Sequence, residues 1–302
     1  MGIIYSFIND LIIFRGLFKV SSFNKFTFYF FDYLKLYIKF KKNIHLFKNK
    51  NITKNNLIKK KKTDLIFILG SGFSLNKISK KKWQIIEKND TIGFNNTFYL
   101  KKAPITYHIA RAGNEDTQFY HTLINWINFF QNKIINNKFY NDTIFFFPKG
   151  ITANFTNTLF GKRLYKIKNK FFLFRTNRIS NLPKKSLDAG LIHRSGTLFD
   201  AISLAYYLRY KKIILLGIDL YDARYFFAPK NKTITWDSKK NKNIFVNVNE
   251  KKKSYLDKHY TLNNKMIRDV KELNIFLNKK NIKIFIENKR SLLKGALKTY
   301  KW

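Results

Sequence analysis

Five side chains in this sequence are imidazoles, the group whose unperturbed pKa lies near neutral pH: His45, His108, His121, His193 and His259. An imidazole is the usual group for taking a proton from a hydroxyl, so these five are the candidate bases. There is no cysteine, which excludes thiol catalysis, disulfides and cysteine-bound metal. Two small-residue turns could meet a phosphate or sugar. Gly70-Ser71-Gly72, with Ser74 after it, ends the apolar run Leu65–Leu69. Ser195-Gly196, preceded by Arg194, opens the stretch SGTLFDAISLAYYLRYKKIILLGIDLY. At such turns glycine lets backbone N–H groups approach a ligand that a side chain would obstruct. A tight strand-to-helix turn with no ligand is the plain reading of the same residues.

The elements that must position these groups alternate in type. Leu65–Leu69 reads as a buried parallel strand running into the glycine turn, the opening βα unit of a doubly wound sheet. DTIGFNNTFYL gives a short strand ending at Asn95 and Asn96. APITYHIARAGNED gives another, with His108, Arg111 and Asn114 toward its carboxyl end. DTIFFFPKG and NKFFLFRT continue the series, and YHTLINWINFFQNKI is the clearest helix between them. After Ser195-Gly196, the residues Leu198, Ile202, Ala205, Tyr206 and Leu208 mark a helix that buries a face on the sheet. Ile213–Leu216 is then a central strand ending in Gly217-Ile218-Asp219, with Tyr221 and Tyr225 beyond. In open α/β sheets the ligand crevice lies outside the carboxyl ends of the strands, so the 194–196 and 217–219 ends are expected to converge on one ligand. NKTITWDSKKNKNIFVNVNEKKK reads as a long polar loop, a lid over that ligand. A helix over 263–277, the strand NIKIFIEN and a basic tail close the chain. The expected fold is α/β and Rossmann-like, a mostly parallel sheet with flanking helices in a GT-A-like variant.

Residues 1–62 read differently from 63–302. IIYSFINDLIIFRGLF carries Ile3, Ile4, Phe7, Ile8, Leu11 and Ile12 on one helical face, and FTFYFFDYLKLYIKF is aromatic but broken by Asp32, Lys35 and Lys39. Neither offers the roughly 18 uninterrupted apolar residues of a spanning helix. KNKNITKNNLIKKKK reads as a basic linker. An amphipathic helical appendage beside lysines suits contact with an anionic membrane surface; a cover over the core is the plain alternative. The 59 Lys and Arg against 18 Asp and Glu give a net charge of +41, which also suits a polyanion. Lys, Asn, Ile, Phe and Tyr share AT-rich codons, however, and no RNP-type strand or GXXG loop is present, so no specific nucleic-acid partner is expected.

LGSGFSLNKI, FNNTFYL, SGTLFDAISLAYYLRYKKIILLGIDLY and a later histidine together resemble the bacterial sialyltransferases of glycosyltransferase family 42, over roughly residues 64 to 290. The resemblance implies a CMP-activated acid sugar as donor, no metal, and a possible homo-oligomer. It puts Gly70, Ser71, Gly72 and Ser74 along the nucleotide and Asn95 toward the donor. Ser195 and Gly196 fall near phosphate and sugar, and Gly217 and Asp219 at the nucleoside. Tyr221 matches the first of two tyrosines that bind the leaving phosphate; the second is Tyr225, or Phe227 in the other register. The family's arginine stands a little before the Ser-Gly turn, whereas Arg194 is adjacent to it. His259, after a polar stretch and just before a helix, matches the family's base.

The chemistry agrees where residue types can test it. No Asp-x-Asp pair occurs, and a one-phosphate leaving group could be stabilised by phenols and a basic surround. The reading is an inverting transfer of sialic acid, or a related nonulosonic acid, from CMP to a hydroxyl of a bacterial surface glycan such as lipopolysaccharide. Its setting would be cytoplasmic, peripheral at the inner membrane. Alternatives are transfer of another CMP-linked sugar such as Kdo, or a non-catalytic membrane-surface protein that binds nucleotide or glycan.

Overall fold

A computed structural model describes residues 23–111, 120–222, 224–229, 232–237, 242–247 and 264–302. His259 and Asn114 lie outside the described residues. In chain order the structure contains α1 (Phe23–Asn43), α2 (Lys54–Lys59), β1 (Leu65–Leu69), α3 (Lys80–Glu87), β2 (Asp90–Phe94) and β3 (Tyr107–Ile109). Next come α4 (Tyr120–Ile135), β4 (Ile144–Lys149), α5 (Asn154–Gly161), β5 (Phe171–Asn177), β6 (Leu191–Ile192), α6 (Thr197–Tyr207) and β7 (Lys212–Leu216). The last are β8 (Lys232–Asp237), β9 (Lys242–Asn247), α7 (Asn264–Asn278), β10 (Lys283–Ile286) and β11 (Lys298–Thr299).

Nine of these strands form one sheet in the order β11-β10-β7-β1-β2-β3-β4-β5-β6. Every pair in it is parallel. The composition of β1 shows why: Ile66, Phe67, Ile68 and Leu69 are all fully buried, as only a strand covered on both faces can be. Alternate residues feed two cores. Ile66 and Ile68 pack with Leu198, Ile202 and Ala205 of α6 and with Val270 and Leu277 of α7. Phe67 and Leu69 pack with Trp83 of α3, Ile127 and Phe130 of α4, and Phe155 and Leu159 of α5. The α/β, Rossmann-like expectation therefore holds, and the sheet is parallel throughout rather than mostly so.

Three segments depart from the expected pattern. The polar tract after 231 contains an antiparallel hairpin, β8 with β9, rather than a plain loop. Two short edge strands, β6 and β11, extend the sheet at its ends. The basic stretch read as a linker is ordered: a 3-10 turn at Ile44–Lys50, then α2, whose Leu57 is fully buried in the core. Ile52 N–H donates to Phe171 O at 2.8 Å, tying this stretch to β5.

The helix α1 packs across α5 through the buried Phe40, whose ring meets Phe160, and Asn43 Nδ2 donates to Gly161 O at 2.8 Å. Its other side stays outward, with Phe31 65% and Ile38 58% exposed. These two lie seven residues apart, on one helical stripe. Among the described residues, no helix is long and apolar enough to cross a membrane.

Candidate active site at the carboxyl edge of the sheet

The strand order reverses at one place. From β1 the chain runs outward through β2 to β6, then returns to β7 on the other side of β1. The loops that leave β1 and β7 diverge there, and they open the crevice in which doubly wound sheets hold their ligands. Gly70-Ser71-Gly72 leaves β1, and Gly217-Ile218-Asp219 leaves β7, so the structure brings these two sets of sequence candidates together.

They meet by bonding to each other. Gly70 N–H donates to Leu216 O at 2.8 Å and Gly72 N–H to Gly217 O at 2.9 Å. Ser74 N–H donates to Asp219 Oδ2 at 2.8 Å, and Asn288 Nδ2 to Asp219 Oδ1 at 2.7 Å. Two of the turn's N–H groups are therefore committed to β7 rather than left for a phosphate. A Cβ on Gly72 would stand 2.5 Å from Asp219 Oδ2 and 2.7 Å from Gly217 O, so glycine serves here to let two backbones close on one another. Asp219 is buried with both oxygens engaged, and its carboxylate holds the turn in shape. Ser74 Oγ is buried with no hydrogen-bond partner among the described residues.

Around this frame stand groups that can face a ligand. Tyr221 is half-buried, and its hydroxyl oxygen accepts from Asn288 Nδ2 at 3.2 Å, while its own O–H bonds no acceptor among the described residues. Tyr225 pairs with Gly72 in an isolated antiparallel bridge, beside the turn. Phe227 instead stacks on Tyr99, with centroids 4.1 Å apart and planes at 12°. Arg224 lies 4.2 Å over the Phe73 ring and is gripped by Asp222, with Nη2 to Oδ2 at 2.7 Å, which raises its pKa further above an already high value. Asn95, at the end of β2, is exposed and holds a φ of 52°, a left-handed setting that asparagine tolerates better than most.

The second turn is built otherwise. Arg194 does not extend toward the first crevice. Its guanidinium pairs with Asp269 at 2.8 Å and Glu272 at 2.9 Å, and Ser195 Oγ donates to Asp269 Oδ2 at 2.9 Å, fixing the turn to α7. Gly196 caps α6 with a φ of 133°, and among the described residues, its chain neighbours aside, no heavy atom lies within 4 Å of where its Cβ would be. His193, just before, sets its Nδ1 against Asp200 Oδ2 at 2.5 Å, and Arg111 Nη2 donates to Asp200 Oδ1 at 2.8 Å.

The histidines separate cleanly. His45 is exposed in the 3-10 turn, and His121 lies in α4. His108 was expected near a ligand, but it is fully buried among Phe130, Tyr140 and Phe145, with Nδ1 3.2 Å from Tyr140 Oη. Burial drives its pKa down to about 3, and no acceptor could reach it. His193 keeps partial access. Asn288, Arg224 and Asp200 escaped the sequence reading. Asp200 carried the plainest signal, a lone carboxylate inside an otherwise apolar helix.

Among solved structures the chain is similar to the monofunctional α-2,3-sialyltransferase Cst-I from Campylobacter jejuni, at 13% identity, a TM-score of 0.40, and coverage of 82% of this chain and 81% of that one. No protein-family profile matches the chain. No curated protein matches it either.

Proposed function

We propose that this chain is a glycosyltransferase that moves a nonulosonic acid, such as sialic acid, from a CMP donor to a hydroxyl of a bacterial surface glycan or glycolipid, with inversion and without a metal. One observation carries the reading: two of the segments whose residue pattern resembles the CMP-dependent family, 70–74 and 217–219, meet at the β1–β7 switch point. A crevice there with a tyrosine O–H that bonds no described acceptor and a nearby guanidinium suits a nucleotide monophosphate better than a bare apolar pocket would. Tyr221 and Tyr225 are the proposed donors to the leaving phosphate, since Phe227 is committed to Tyr99. The resemblance puts the base on His259.

Binding of CMP tests the reading. CMP should raise the Tm with EDTA present, and Tyr221→Phe should then slow transfer by roughly 2–4 kcal/mol of barrier. Stabilisation by UDP with manganese, and none by CMP, would replace this donor with another. CMP-Kdo belongs in the same panel.

We further propose a peripheral position at an anionic membrane, on the cytoplasmic side. What supports it is the outward stripe Phe31, Lys35, Ile38 and Lys42 on α1. Because α1 and α2 pack into the protein, removing residues 1–62 would damage the fold. Phe31→Ser with Ile38→Ser is the sharper test: vesicles containing phosphatidylserine should lose the protein while CMP still binds.

A further inference from the structure

Four cations from four elements gather around one carboxylate toward the β6 side of the sheet, away from the β1–β7 crevice. Lys149 ends β4 and stands in register with Arg175 on β5, so two like charges leave neighbouring strands on one face. That face is the one α5 and α1 cover: Phe145, Phe147 and Phe171, in the same alternation, pack with Phe160 and Phe40. Lys54, which opens α2, pairs with Asp188. Lys41 lies in the last turn of α1, with Nζ 5.5 Å from the Tyr37 ring centroid.

The cluster is short of negative charge. Asp188 Oδ2 already takes Lys54 and the Ser186 hydroxyl, the latter at 3.1 Å. Lys149 is exposed and forms no ion pair among the described residues. Desolvation, then the charges of Arg175 and Lys41, hold its ammonium below the ordinary lysine pKa, and Asp188 offsets them only in part. Like charges fixed together by strand register and helix packing cost stability until an anion joins them. Their place says which anion. Residues turn by about 100° each on a helix, which sets Tyr37 and Lys41 between the buried Phe40 side of α1 and the outward stripe of Phe31, Lys35, Ile38 and Lys42. The cations therefore border an exposed apolar stripe, and a phosphate that carries an apolar tail fits both.

We propose that Lys41, Lys54, Lys149 and Arg175 seat the phosphate of an anionic phospholipid headgroup whose acyl chains lie along the outward stripe of α1; this rests on the peripheral membrane position put forward above. The ammonium groups donate to the phosphate as point charges, and the guanidinium as a planar fork. The seat also orients the protein. Lys149 and Arg175 lie toward the carboxyl ends of their strands, and every strand of the sheet is parallel, so the edge that carries the β1–β7 crevice is the edge brought to the lipid.

Flotation of the full chain with vesicles of phosphatidylcholine, alone or mixed with phosphatidylglycerol, provides the test. Lys41→Gln with Lys149→Gln is set against Lys279→Gln with Lys280→Gln, which removes two charges from the exposed end of α7. The first pair should weaken binding to the mixed vesicles by about 10- to 30-fold, and the second by less than about threefold. Lys41→Arg with Lys149→Arg should bind as the wild type does. In buffer the Tm of the Lys41→Gln, Lys149→Gln protein should be unchanged or higher, because repulsion is relieved; a lower Tm would mean that these lysines hold the fold rather than a ligand. Equal weakening by the two Gln pairs would mean that diffuse charge alone holds the protein, and would overturn the seat. If Phe31→Ser with Ile38→Ser releases the protein while Lys41→Gln with Lys149→Gln behaves as the control, the membrane position stands and the seat falls. Inorganic phosphate separates the two sources of the anion. Should it raise the Tm of the wild type and not of the Lys41→Gln, Lys149→Gln protein, while both bind vesicles equally, the site takes free phosphate and the lipid assignment is overturned. If the wild type ignores anionic vesicles, the membrane position and the seat fall together.

Discussion

Two glycine turns lie on the same edge of the sheet, and glycine does opposite work in each. At 70–72 the turn is closed: its N–H groups bond β7, Asp219 fills the space where a side chain would go, and Asn288 locks Asp219 from a third loop. At 193–196 the turn is open. Side chains anchor it, through Asp269, Glu272 and Asp200, and no described residue stands over Gly196. The first glycine pair permits two backbones to touch, while the second permits a backbone angle. A Gly-x-Gly after a strand is therefore not by itself a phosphate cradle; the partners of its N–H groups decide that. The closed turn supplies a rigid frame for groups such as Tyr221, and the open turn supplies room.

The largest expected effect breaks the closed turn. Asp219→Ala leaves the Ser74 N–H and the Asn288 amide without their acceptor in a buried place, at about 1–3 kcal/mol for each orphaned donor. The loss should be roughly 4 kcal/mol in urea unfolding at pH 7, enough to threaten folding of an ordinary domain. CMP should not rescue it if Asp219 acts on the frame alone. A stable variant with weakened CMP binding would instead put the carboxylate on the nucleoside, as the family resemblance has it.

The sequence carried more of the fold than of the site. Strands such as Leu65–Leu69 and Ile213–Leu216 were legible because burial on both faces demands an unbroken apolar run, and α6 was legible from its periodic Leu198, Ile202 and Ala205. The two-residue strands β6 and β11 were not, because so short a run has no period to read. The basic tract around α2 misled for a different reason: lysine dominates the whole chain, so its presence does not mark a linker here, and the decisive residue was the single buried Leu57. In the site, chain order showed which turns end which strands but not which side chains pair. Arg194 with Asp269 is separated by 75 positions, and Asp219 with Asn288 by 69. Such pairs follow from the crossovers of α6 and α7 over the sheet, which no local pattern encodes.

A second effect sharpens the contrast by pH, because the open turn and β3 hold the two histidines with depressed pKa values. In the unfolded chain each titrates near 6.5; in the fold His108 waits until about 3, and His193 is shifted in the same direction. Between those values the unfolded chain binds more protons, so stability is full above pH 6.5 and falls as the pH drops. His108 alone should cost about 2 kcal/mol on going from pH 6.5 to pH 5, at about 1.4 kcal/mol per unit. Urea midpoints at the two pH values measure this, and His108→Asn should flatten the slope. A midpoint indifferent to pH over that range would mean that water reaches His108, contrary to its burial.

The smallest effect on stability is the one that tells the two turns apart. Gly72→Ala and Gly196→Ala add the same methyl group to turns on the same edge. In the closed turn that carbon meets Asp219 Oδ2 at 2.5 Å and a backbone oxygen at 2.7 Å, so the frame must shift, at a typical overpacking cost of about 1–3 kcal/mol. In the open turn it meets no described residue, and only the φ of 133° is costly for alanine, about 1–2 kcal/mol. If the space over Gly196 is where donor and acceptor sugars lie, Gly196→Ala should leave a folded protein whose Tm falls only by what that backbone angle costs. Its turnover should fall further than its CMP affinity does, because the nucleotide rests at the β1–β7 crevice. Gly72→Ala should show the reverse order, a lower Tm first and an activity loss that follows the folded fraction. A turnover in Gly196→Ala that only follows its folded fraction would mean that no sugar lies over the open turn, and the division of labour between the turns would fail with it.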